Sequence, residues 1–102
     1  MSELPVVCTL SAETVRTRRD ALLPALFERA DRREPSRDGY RLRFRPGTDI
    51  LTAITSTVDA ERQCCRFLRF ELTVEPDGGP VWLTMSGPFG TREFLDALIE
   101  RA

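Results

Sequence analysis

Glu61, Cys64 and Cys65 fall within one short stretch, Glu61-Arg62-Gln63-Cys64-Cys65-Arg66-Phe67-Leu68, and the chain's third cysteine is Cys8. On a helix, Glu61 and Cys65 are four apart and share a face. The thiolate is the chemically active form of cysteine. Three thiols in a chain without His suit a soft ion such as Hg(II), Cu(I) or As(III) better than a hard one. Zinc would need four ligands, so Glu61 would have to join Cys8, Cys64 and Cys65. The candidate metal ligands are therefore Cys8, Cys64, Cys65 and Glu61.

A bland reading stands beside that one. Cysteine often packs as a small buried hydrophobe. A neighbouring carboxylate also opposes thiolate formation. Adjacent cysteines lack the C-x-x-C spacing of metal and redox motifs. A Cys64–Cys65 disulfide is geometrically poor, because consecutive α-carbons stand about 3.8 Å apart, below the usual disulfide range. A carboxylate on an apolar stripe needs a partner, and Glu61 has Arg62, Arg66 or an ion to choose from. A thiol enzyme, with Cys65 as nucleophile and Glu61 as proton acceptor or donor, ranks third. It would have to work without His, the commonest general base. No catalytic residue is assigned on this basis.

The rest of the chain bounds these choices. Its 102 residues make one domain with a modest core. Hydrophobic content of 41% and charged content of 30% are those of an ordinary globular protein. A formal net charge of −1 gives no argument for a nucleic-acid or membrane surface. No apolar run approaches a membrane span, and the start of the chain lacks a signal-peptide pattern. The expected location is the cytoplasm, where cysteines stay reduced.

Leu4 to Leu10 reads as a strand, with Leu4, Val6, Cys8 and Leu10 on the core side. Ser11 is an N-cap candidate, and residues 12–30 read as a helix that Pro24 should kink or break near Leu22 or Leu23. Arg16, Arg18 and Arg19 form a basic cluster read as a solvated face. Asp31 to Asp38 reads as a charged loop. Tyr40 to Arg45 alternates strictly, with Tyr40, Leu42 and Phe44 inward and three Arg outward. Those Arg are read as pairing with Glu71 and Glu75 across the sheet or as plainly solvated, ahead of contacting phosphates.

Pro46-Gly47 ends that strand, and residues 50 to about 66 form a helix. Its apolar stripe is Ile50, Leu51, Ile54, Val58, Cys65 and Leu68, with Glu61 in the middle and Cys64 on the flank. Leu68 to Glu75 reads as a strand, then Pro76-Asp77-Gly78-Gly79-Pro80 as a turn, then Val81 to Met85 as its hairpin partner. Ser86 to Gly90 is a loop without the Lys or spacing of a P-loop. Residues 92–101 form the last helix.

The resulting order is β-α-β-α-β-β-α, an α+β fold. It predicts a small mixed four-stranded sheet with helices on one face. The middle helix is long enough for a parallel crossover. The other sheet face carries Trp82 among Arg, Glu and Thr. A bare Trp there marks either a homodimer surface or a place covered by a terminal segment. The reading opposed to the metal protein is thus a homodimeric interaction module with buried structural cysteines.

Beyond Glu61 to Leu68, three further stretches bear on kinship: Gly79-Pro80-Val81-Trp82-Leu83, Ser86-Gly87-Pro88 and Gly90-Thr91-Arg92-Glu93-Phe94-Leu95. Together they resemble small bacterial proteins with an E-R-x-C-C-x-F-L signature. The resemblance covers roughly the last 40 residues well and the first 60 loosely. It implies a small cytosolic protein associated with metal resistance. No catalytic mechanism comes with it.

Overall fold

The computed structural model describes residues 22–101, and of residues 64, 100 and 101 the backbone only. The expected strand Leu4–Leu10, Cys8 and the Arg16–Arg19 cluster lie outside the described residues. Within them the fold is α+β. The elements are α1 (Leu23–Arg29), β1 (Arg32–Ser36), β2 (Gly39–Phe44), α2 (Ile50–Cys64), β3 (Arg69–Val74), β4 (Val81–Ser86) and α3 (Thr91–Arg101). The described strands form one sheet in the order β1-β2-β4-β3, and all neighbours are antiparallel.

Pro24 sits in the first turn of α1, where its missing N–H leaves no helical bond unmade. α1 starts at Leu23, where the kink or break of the expected 12–30 helix falls, and residues 12–21 of that helix lie outside the described residues.

β1 corrects the charged-loop reading of Asp31–Asp38. Arg32–Ser36 pairs along its length with β2. An outer strand needs no apolar alternation when its side chains make ion pairs. Glu34 lies 3.5 Å from Arg41, and Asp31 Oδ1 lies 3.0 Å from Arg43 Nε. The Arg stripe on β2 therefore meets Glu34 of β1 and Asp31 just before it, not Glu71 and Glu75. β4 separates β2 from β3, so Arg41 and Glu71 stand on either side of Thr84.

The expected crossover has a particular form. β2 and β3 run parallel to one another, because each is antiparallel to β4, which lies between them. The β3–β4 hairpin forms as expected. Its turn places Asp77 at φ 58° and Gly78 at φ 69°, left-handed conformations that Gly and Asp tolerate.

Register stacks the inner face in rows. Leu42, Leu83 and Leu72 form one, Phe44, Val81 and Val74 a second, and Tyr40, Met85 and Phe70 a third. Leu23, Leu26 and Phe27 of α1, Ile50 and Ile54 of α2, and Leu95 and Leu98 of α3 complete the core over this face. Phe27 meets Tyr40 edge-to-face at 5.3 Å, and Phe67 meets Phe94 the same way at 5.1 Å. Gly39 fits where β2 passes β4, since a Cβ there would lie 1.8 Å from the Met85 carbonyl oxygen.

On the opposite face Trp82 is half-buried beneath its own neighbours. The Arg41 guanidinium sits 3.7 Å from the ring centre and Arg43 flanks it at 6.0 Å. Two side chains of β2 thus cover part of the ring that was expected to mark either a homodimer surface or a place covered by a terminal segment.

Candidate functional site

The buried side of α2 runs Ile50, Ile54, Thr57, Glu61 and Cys65. These spacings of four, three, four and four keep one stripe on a helix. The stripe lies slightly around the helix from the expected one, so Thr57 is buried while Leu51 is 40% exposed. Thr57 satisfies its hydroxyl locally by donating to the Ala53 carbonyl at 2.9 Å.

α2 ends at Cys64, and Cys65 is its C-cap. The Cys65 N–H donates to the Glu61 carbonyl, and the Cys65 carbonyl accepts from the Leu68 N–H at 3.1 Å. This turn fixes Cys65 at the junction of helix and strand. Its Sγ donates to Glu61 Oε1 at 3.5 Å. Both side chains are almost fully enclosed, Cys65 at 0% and Glu61 at 1% exposure. A carboxyl and a thiol this deep are costly unless hydrogen-bonded.

Of the four residues proposed as metal ligands, Glu61 and Cys65 are brought into contact. Cys64 is the adjoining helical residue, and Cys8 lies outside the described residues. Among the described residues, no group of three or more His, Cys, Asp or Glu could hold a metal ion. Glu61 and Cys65 supply one oxygen and one sulfur, so a metal centre here would need Cys64, Cys8 or both.

A second feature was not visible in the sequence. An apolar groove of about 370 Å³ runs between α2 and β3, lined by Ile54, Val58, Phe70, Leu72 and Leu83, with Asp59 and Arg62 at its rim. Its signal was present in the apolar alternation of β3. Only the strand order shows that this alternation lies at an edge. Beside it, Leu72 is 42% and Val74 55% exposed.

Two polar contacts also arise from long-range packing. The Tyr40 hydroxyl donates to Asp96 of α3, which with partial burial raises its pKa above the usual tyrosine range. The Arg43 guanidinium holds Asp31 below the usual carboxylate range, with Arg45 assisting.

No helix among the described residues is long and apolar enough to cross a membrane. Comparison with protein-family models, curated proteins and solved structures gives no match.

Proposed function

We propose that this is a small thiol protein that binds a soft metal or metalloid ion, such as Hg(II), Cu(I) or As(III). Cys65 is the central ligand, joined by Cys64 and Cys8, with Glu61 beside the ion. Sequestration, delivery or sensing in the cytoplasm is the corresponding role. The resemblance to bacterial proteins with the E-R-x-C-C-x-F-L signature points the same way.

One observation carries this reading: the Cys65 thiol is aimed at the Glu61 carboxyl, and both side chains are almost fully enclosed. Metal binding requires the thiol to lose its proton. The S–H bond breaks, a sulfur–metal bond forms, and an ionised Glu61 carboxylate is the aligned acceptor. Simple packing would be served as well by two apolar residues, without the cost of enclosing a carboxyl.

Titration of the reduced protein with Hg(II) or Cu(I) tests this. One ion per chain should bind, with a thiolate charge-transfer band in the ultraviolet. Cys65→Ser should weaken uptake and the band, and Glu61→Gln should slow its appearance. Equal uptake by a variant with all cysteines replaced by Ser would overturn the reading.

The complete enclosure of Cys65 favours a second reading, an interaction module whose cysteines are structural. Its signature is a thiol that neither metal nor alkylating reagent reaches until the protein unfolds.

A further inference from the structure

We propose that the outer edge of β3 is a self-association surface, pairing antiparallel with β3 of a second copy to continue the sheet across a two-fold axis. This supplies a surface for the interaction-module reading but rests on no property of the cysteines.

The first observation is the direction of the backbone groups. The Glu75 N–H donates to the Pro80 carbonyl, on the side of β4. Backbone polar groups alternate along a strand, so Arg69, Glu71, Thr73 and Glu75 turn theirs toward β4. Phe70, Leu72 and Val74 turn theirs toward the outer edge, where no described strand pairs with them. An outer strand in this state is a template for another strand. The same three residues carry apolar side chains on the helix-covered face, beside the groove under α2.

The second observation is self-complementarity. With Leu72 on the axis, Leu72 faces Leu72 of the partner subunit, and Phe70 faces Val74 of the partner subunit. These pairs exchange their backbone hydrogen bonds. On the opposite face, Glu71 meets Thr73 of the partner subunit and Arg69 meets Glu75 of the partner subunit. The latter are non-hydrogen-bonded positions, where side chains approach most closely. Opposite charges therefore meet at both ends, and the apolar rows join in the middle. A register centred on Glu71 would instead set two carboxylates face to face, so charge selects the pairing on Leu72. One surface used by both copies is the form a two-fold dimer requires.

Sedimentation of the full reduced chain across the micromolar range tests the proposal. The wild type should dimerise. Val74→Pro removes an outward N–H without touching the bonds to β4, and should leave a folded monomer by circular dichroism. Arg69→Glu and Glu75→Arg should each weaken the dimer about tenfold, by placing like charges together at both ends. The double reversal should restore it to within a few-fold of wild type. That rescue is specific to this register and is not expected of a merely structural role. A wild-type monomer at high micromolar concentration would overturn the proposal, whether residues 1–21 or a different protein covers the edge. So would a dimer indifferent to Val74→Pro, which would return the interface to another face such as that of Trp82.

Discussion

At one edge of the sheet, β1 presents Arg32, Glu34 and Pro35. At the other, β3 presents Phe70, Leu72 and Val74. The first edge is held by charge. Asp31 engages Arg43 and Arg45, and Glu34 engages Arg32 and Arg41. Pro35 also removes one N–H, and charge with Pro is how sheets discourage further pairing. Among the described residues the second edge has no such guard on its apolar side, with Leu72 and Val74 exposed there. Strand position alone therefore does not decide whether an edge is closed. Side-chain chemistry does, and among the described residues it guards one side and not the other.

The largest expected effect contrasts two leucines in one row. Leu42 and Leu72 flank Leu83 on either side, yet Leu42 is 0% and Leu72 42% exposed. Leu42→Ala should cost about 2–5 kcal/mol in urea unfolding, as a cavity in a closed core. Leu72→Ala should cost about 1 kcal/mol in dilute solution, where only part of the side chain leaves water. Equal losses in dilute solution would mean that the β3 side is covered within one chain.

The next effect is smaller and lies inside the closed side. Tyr40 pairs with Pro35 of β1 and donates to Asp96 of α3. Tyr40→Phe should cost about 0.5–1.5 kcal/mol at neutral pH, the net value of one hydrogen bond. The tyrosine pKa is raised above its ordinary 10.0, first by the Asp96 bond and then by burial. Its contribution is therefore complete below that value and is lost as pH rises through the raised one. The gap between wild type and Tyr40→Phe should narrow in alkali. A gap that widened there would contradict the assignment of the hydroxyl as donor.

The same contrast between edges explains how much was legible in the sequence. β2, β3 and β4 were readable because each alternates apolar and polar residues, and the Pro76–Pro80 turn joins the last two. The contact of Glu61 with Cys65 was readable because four residues on a helix return to one face. β1 was not, because its stability comes from ion pairs and pairing with β2, which leave no apolar period in Arg32–Ser36. The partners of Arg41 and Arg43 were misread for the same reason. Their acids, Asp31 and Glu34, lie in the stretch taken for a loop. The insertion of β4 between β2 and β3 depends on long-range contacts, and no local pattern encodes it. The groove beside β3 follows from that insertion, so it too emerged only with the sheet order.

The smallest effect tests the charged edge itself. Asp31 holds Arg43 by two hydrogen bonds, at 3.0 and 3.2 Å, and Arg45 adds an ion pair at 3.5 Å. The hydrogen bond from Arg43 is the main cause that lowers the Asp31 pKa below its ordinary 3.8, and burial opposes it. A depressed carboxylate stabilises the fold above its unfolded value and loses that contribution as pH falls through the folded one. Asp31→Asn keeps the shape but removes the charge. Its stability should therefore fall short of wild type by a constant amount from neutral pH down to about pH 5, and the difference should shrink below about pH 4 as wild-type Asp31 protonates. Added salt should reduce the neutral-pH difference, because these charges are solvent-exposed and screened. The dimer affinity of β3 should not change, since Asp31 lies at the opposite edge of the sheet. A difference independent of acid and salt would show that Asp31 acts through its shape, and that β1 is closed by Pro35 and backbone pairing rather than by charge.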